Sequence, residues 1–214
     1  MKLIKHKVNS DEDLKELFRL RSDPLVKRYL RGLEFDVLKT STGLCVAHEE
    51  EKATESLTLE SYLSKILSSG LPDGTLLLVD VKKRGILGST AAFLSQNGIQ
   101  SRFNVYLVSR FHNEVASIGK HTAMRRLLSL DSRPQHPGEM VREAGAQGVS
   151  LNVKYADREL VEELKGSNYE VFLWIVEGRD IKWLVRELGL RLLNWCYLIV
   201  DDLKGVIEEF KYRK

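Results

Sequence analysis

The sequence predicts an α/β protein folded as a closed (β/α)8 (TIM) barrel, with residues 1–214 forming one domain. Three observations carry that prediction. Short apolar runs alternate with amphipathic helical stretches along most of the chain, the paired units number about eight, and no low-complexity segment or Pro/Gly/Ser-rich linker divides them. Strand–helix alternation builds a parallel sheet with helices on the outside. A chain of 214 residues sits near the lower end of the length such a barrel needs, so the barrel is expected to be compact. An open doubly wound sheet is the alternative arrangement of the same elements.

Taken in order, Lys2–Lys7 reads as the first strand. Asp11–Leu20 reads as a helix that opens after Ser10, a good N-cap with Asp13 three positions on. Leu33–Lys39 and Leu44–His48 read as a strand and its return hairpin. Leu59–Leu67 is a helix behind Thr58, and Thr75–Lys82 is the next strand. Phe103–Ser109 and Met124–Leu130 follow as strands within Lys83–Pro137, the stretch with the weakest periodicity, and Ser132–Gly138 reads as a loop. Gly148–Val153, Glu170–Val176 and Leu193–Val200 complete the strands. The intervening helices are Asp157–Lys165, whose Leu160, Val161 and Leu164 share one face, and Arg179–Leu188, stopped by Gly189. Leu203–Phe210 follows Asp201 and Asp202 as the last helix.

A composition of 43% hydrophobic and 29% charged residues is that of a folded protein, not a disordered one. The net charge is only +3, with opposite charges interleaved. That argues against nucleic acid as a partner, because such binders concentrate Lys and Arg on one face. A small anionic substrate is compatible with it, since a local site potential needs no large net charge. Cys45 and Cys196 each lie in an apolar run outside any CxxC pair and read as buried, reduced thiols. The N-terminal residues lack a signal-peptide core, and the longest apolar stretch, around Leu192–Val200, is broken by Asn194 and too short to span a bilayer. These features predict a cytoplasmic protein without stable membrane insertion; they leave the oligomeric state open.

The chemistry concentrates in Leu33–Val37 and Cys45–Glu49. Along a strand, Glu34 and Asp36 point to one side. Two carboxylates on one face are costly without a cation, and a hard divalent ion such as Mg²⁺ or Ca²⁺ would remove that cost. A strand with a solvated polar face is the other reading of the same pair. His6 ends the first strand, His48 ends the hairpin run, and Asp80 and Lys82 close the run Leu76–Val79. In a barrel the C-terminal strand ends build the active site. Six ionisable groups would therefore collect on one rim: His6, Glu34, Asp36, His48, Asp80 and Lys82. His112, His121 and His136 form no usable spacing and read as surface or loop residues.

The run Leu33–Glu50, with Glu34-x-Asp36, a turn, a second apolar run and His48-Glu49, resembles the signature of the glycerophosphodiester phosphodiesterase family. His6-Lys7 resembles that family's His-Arg at the end of its first strand, and Leu57–Glu60 its Pro-Thr-Leu-Glu helix start. Leu77–Lys82 is similar to its strand ending in Glu-x-Lys, Val171–Val176 to its Trp-bearing strand, and Ile199–Asp202 to its last strand. The resemblance covers most of the chain and is weakest at 83–147.

The resemblance implies a (β/α)8 barrel that hydrolyses glycerophosphodiesters to glycerol 3-phosphate and an alcohol, through a cyclic phosphate made by the substrate's own 2-hydroxyl. It implies that Glu34, Asp36 and Asp80 hold one divalent cation, Mg²⁺ or Ca²⁺. His6 and His48 would be the acid–base pair, Lys7 and Lys82 would face the phosphate, and Trp174 would contact the glycerol part. The chain departs from the family at Lys7 in place of Arg, which loses a bidentate fork, at Asp80 in place of Glu, and at Glu177 in place of Asn. The short stretch from His48 to Asp80 implies that most of the usual inserted subdomain is lacking. An eroded glycerol-recognising part also fits a lysophospholipid-type phosphodiesterase of the same fold, or a non-catalytic phosphate-binding barrel.

Overall fold

The computed structural model describes residues 1–52, 57–119 and 121–212. Its strands are β1 (Lys2–Lys5), β2 (Leu30–Thr40), β3 (Gly43–Val46), β4 (Leu76–Val81), β5 (Asn104–Ser109), β6 (Arg125–Leu130), β7 (Gly148–Asn152), β8 (Glu170–Trp174) and β9 (Tyr197–Val200). The sheet order β1-β9-β8-β7-β6-β5-β4-β2-β3, with a further pairing of β1 to β2, closes eight parallel strands into a barrel. Among the described residues only β3 pairs antiparallel, as the return arm of the β2 hairpin, with Val37 opposite Val46. The expected closed barrel is what forms, and the open sheet is excluded by the β1–β2 pairing.

Nine α-helices lie among the described residues: α1 (Asp11–Arg21), α2 (Pro24–Tyr29), α3 (Leu59–Ser68), α4 (Leu87–Gln96), α5 (His112–Ile118), α6 (Pro137–Glu143), α7 (Arg158–Gly166), α8 (Gly178–Trp195) and α9 (Leu203–Lys211). Those that the sequence predicts begin where local chemistry starts them. Ser10 and Asp13 form a reciprocal capping box on α1. Thr58, Asp157 and Asp202 accept backbone N–H bonds at the starts of α3, α7 and α9.

Side chains alternate along each strand, one set into the barrel and the other toward the helices. Ile4, Leu78, Tyr106, Leu127, Phe172 and Ile199 belong to the buried inner cluster. Phe172 stacks on Tyr197 with centroids 4.4 Å apart and planes 7° from parallel. The N-terminal end is closed by an ion pair, Arg125 to Glu170 at 3.0 Å, with the Tyr106 hydroxyl donating to Glu170 at 2.9 Å. A larger outer cluster, including Leu33, Phe35, Leu77, Leu160, Leu184 and Val206, lies between barrel and helices. Close packing of parallel strands requires glycine at Gly148, where a Cβ would lie 2.0 Å from the carbonyl oxygen of Glu170.

Three expectations are corrected. Leu193–Cys196 is not strand: α8 runs to Trp195, and β9 begins only at Tyr197. Gly189 does interrupt α8, at φ 72° and ψ 158°, but helical turns resume beyond it. Leu192 and Leu193 are buried on the helix, and a short apolar run there reads equally as buried strand or buried helix, so hydropathy alone does not separate the two. Ser132–Gly138 is loop only to His136, because Pro137 opens α6 at a position where its missing N–H costs nothing. His112 is not a free surface group: it starts α5, and its Nε2 lies 3.0 Å from the Ser129 carbonyl oxygen.

Candidate active site

A cavity of about 320 Å³ opens at the C-terminal ends of the strands. His6, Lys7, Glu34, His48, Asp80, Lys82 and Trp174, seven of the eight residues singled out in the sequence, line it. The eighth, Asp36, is fully buried beneath, and reaches the cavity through His48 and Lys82. The barrel brings these groups together because β1, β2 and β4 are neighbours, with Asp36 directly opposite Asp80 in the register.

Glu34, Asp36 and Asp80 offer oxygens that all lie within 4.8 Å of one another. Glu34 is 4% exposed, and its Oε2 accepts the Lys7 backbone N–H at 2.7 Å. That bond is possible because the chain turns out of β1 at Lys7, where φ is 50°. Burial, with the charges of Asp36 and Asp80 beside it, pushes the Glu34 carboxyl well above the usual carboxylate range. Burial likewise raises the Asp80 carboxyl, against the opposing charge of Lys82. Burial also opposes ionisation of Asp36, but the His48 hydrogen bond, the Lys82 charge and the Asn9 hydrogen bond outweigh it and hold this carboxyl below its ordinary range.

Lys82 Nζ stands among these groups, 2.5 Å from Asp80 Oδ2 and 2.8 Å from Asp36 Oδ1. Burial works against its charge, yet Asp80, Asp36 and Glu34 together hold its ammonium above the ordinary lysine value. The contact with Asp36 Oδ1 is a close ion pair, so the ammonium lies beside this buried oxygen. A set of three carboxylates whose oxygens lie within 4.8 Å of one another fits a hard divalent cation such as Mg²⁺ or Ca²⁺.

Each histidine is oriented through Nδ1. His6 Nδ1 lies 2.8 Å from Asp201 Oδ1, and its Nε2 lies 3.9 Å from Glu34 Oε2. Burial lowers the His6 pKa, and the Asp201 hydrogen bond only partly offsets this. His48 Nδ1 lies 3.0 Å from Asp36 Oδ2. The two rings differ in access, with side-chain exposures of 9% for His6 and 39% for His48. Trp174 forms part of the wall, its indole Nε1 donating to the Ser150 carbonyl oxygen at 3.0 Å.

Four contributors escaped sequence reasoning. Asn9 accepts the Asp36 backbone N–H at 2.9 Å and donates to Asp36 Oδ2 at 2.7 Å, so it holds the carboxylate in place. Asp201 orients His6, while Arg110 and Asp131 line the far side of the cavity. Arg110 and Asp131 directly follow the ends of β5 and β6, so the strand-end rule that finds Asp80 and Lys82 would have found them too. Asn9 lies beyond the strand in a loop, and no local pattern marks it.

No family model matches this sequence, and no curated protein matches it. Solved structures do. A protein from Silicibacter pomeroyi assigned as a glycerophosphoryl diester phosphodiesterase superposes with TM-score 0.74 at 14% identity, over 100% of this chain and 94% of that one. One from Galdieria sulphuraria assigned as a glycerophosphodiester phosphodiesterase gives TM-score 0.75 at 16% identity, over 98% and 97%. An Oleispira antarctica phosphodiesterase, solved with its product sn-glycerol-3-phosphate, gives TM-score 0.72 at 15% identity, over 99% and 97%. Along its whole length, then, this chain has the compact (β/α)8 barrel fold seen in glycerophosphodiester phosphodiesterases.

Proposed function

We propose that the protein is a divalent-metal-dependent phosphodiesterase that hydrolyses glycerophosphodiesters to glycerol 3-phosphate and an alcohol. The observation that carries this reading is the convergence, at one strand-end cavity, of three carboxylates within 4.8 Å and two histidines each held by a carboxylate. Glu34, Asp36 and Asp80 would hold the ion, which supplies charge to mask the phosphate and ease attack at phosphorus. With Nδ1 engaged by a carboxylate, each imidazole keeps Nε2 for proton transfer. His6, the more buried, takes the proton of the attacking 2-hydroxyl as its oxygen bonds to phosphorus; His48, at the mouth, delivers one to the departing alkoxide, and water then opens the cyclic phosphate to glycerol 3-phosphate while the two histidines exchange these proton roles. Lys7 and Lys82 offset the phosphate charge, and the Trp174 indole, pinned by Ser150, walls the glycerol part.

The cavity supports a small substrate. About 320 Å³ lies at the lower end of small-molecule sites, so the acyl chain of a lysophospholipid would run outside it. A barrel retaining only phosphate binding has no use for His6 and Asp80 at the rim, yet both line the cavity.

The test is release of glycerol 3-phosphate from glycerophosphocholine and glycerophosphoethanolamine with Mg²⁺, Ca²⁺ or EDTA, beside His48→Ala. Turnover that needs the ion and disappears in the variant is the expected result. Silence of the wild type with every ion rejects these substrates, and silence with lysophospholipids as well rejects catalysis.

A further inference from the structure

The charged groups are arranged in order around the rim. Through β1, β2, β4 and β5 it presents Lys7, then Glu34 and Asp36, then Asp80 and Lys82, then Arg110. The inner cation and the two outer ones are in different states. Lys82 is committed, within 2.8 Å of two carboxylates. The Lys7 and Arg110 side chains, by contrast, have no carboxylate within ion-pair distance among the described residues. Arg110 lies where β5 leaves the barrel beside β4, and its positive charge is felt at the Asp80 carboxyl. An uncompensated guanidinium facing a cavity is an anion receptor, and its planar fork can give two parallel N–H bonds to one phosphate. Lysine at position 7 cannot do that.

Resting on the phosphodiesterase reading above, we infer that Arg110 is the bidentate phosphate-binding residue of this site, gripping the substrate phosphate from the side opposite Lys7. The acid cluster is thus bracketed by two available cations, and the anion they share is the phosphate common to every glycerophosphodiester, whatever its alcohol. Arg110 binds substrate and product; it transfers no proton. Its exposure on the rim means that its replacement leaves the barrel packing intact.

The experiment compares wild type, Arg110→Ala and Arg110→Lys, each checked for an unchanged melting temperature. Binding of sn-glycerol 3-phosphate is measured by calorimetry with Mg²⁺ and with EDTA, and steady-state turnover of glycerophosphocholine alongside it. Loss of a charge-assisted pair of bonds is expected to weaken product binding and raise KM by about 10–100-fold, with a smaller change in kcat. Arg110→Lys recovers less than half of the lost affinity on a logarithmic scale, since a point charge cannot reproduce the fork. Wild-type turnover with Arg110→Ala within about twofold in both binding and KM overturns this inference and leaves the phosphodiesterase reading standing. A wild type that neither turns over diesters nor binds the product removes both.

Discussion

Replacing Glu34 by Gln separates the cost of the acid cluster from its use. The side chain is 4% exposed, and its Oε2 accepts the Lys7 backbone N–H at 2.7 Å, a bond that an amide oxygen can also accept. Shape and hydrogen bond are kept while a negative charge is removed from beside Asp36 and Asp80, which together with burial already disfavour it. In EDTA the variant is therefore expected to melt at or above the wild-type temperature. With an ion at about 100 times its Kd, wild type gains about 2.7 kcal/mol. For a chain of this length that raises Tm by about 5–10 °C. If loss of one anionic ligand weakens binding about 100-fold, the same ion concentration only matches the new Kd, and the gain falls to about 0.4 kcal/mol, or about 1–2 °C. Scanning calorimetry with Mg²⁺, Ca²⁺ and EDTA reads both quantities. A full metal-dependent rise in Glu34→Gln would refute its role as a ligand. A fall of several degrees in EDTA would refute the argument that its charge is a burden to the metal-free fold.

Lys82→Met removes a cation lying within 2.8 Å of Asp36 and Asp80, so divalent-ion affinity measured by calorimetry is expected to tighten by about 10-fold while turnover is lost; unchanged or weaker affinity would show that the ammonium does not compete with the ion. Gly148→Ala would put a Cβ 2.0 Å from the Glu170 carbonyl oxygen, and backbone in a closed barrel cannot step aside. A loss of about 3 kcal/mol follows, seen as a Tm lower by about 6–12 °C, and a shift within error would contradict the close approach of β7 and β8. Burial pushes the Cys196 thiol up to about 12. Because the thiolate is the reactive form, Cys196 in the native protein is expected to resist iodoacetamide at about pH 8 and to react fully in guanidinium, as followed by peptide mass mapping. Rapid native labelling of that residue would rule out the buried position.

The alternation of apolar runs with amphipathic helices already specifies a parallel α/β fold, and the count of about eight units favours a barrel, because β-strands and helices place apolar groups at different periods and both must bury them. Ser10, Thr58, Asp157 and Asp202 mark their helix starts for an equally local reason, as their side chains satisfy N–H groups one turn away. Among the described residues no helix is long and apolar enough to cross a membrane, which agrees with the broken stretch around Asn194. The helices within 83–137 were not legible because the N-cap positions of α4 and α5, Ile86 and Phe111, make no side-chain capping bond, so neither start carries a signal. At Leu192–Cys196 a buried apolar run was compatible with either period.

Local pattern also reached the ends of β1, β2 and β4, and so His6, Glu34, Asp36, Asp80 and Lys82. Which charges meet is another matter. Asp201 reaches His6 across 195 positions, Asn9 reaches Asp36 across 27, and Arg110 joins the rim only because β5 lies beside β4. The sequence by itself determined the parallel α/β class, with a count of units that favours a barrel, and most of the candidate chemistry, through periodicity and strand-end residues. Closure of β1 on β2 decided the rest, since only a closed ring makes the first and last strands neighbours and turns separated side chains into one electrostatic cluster.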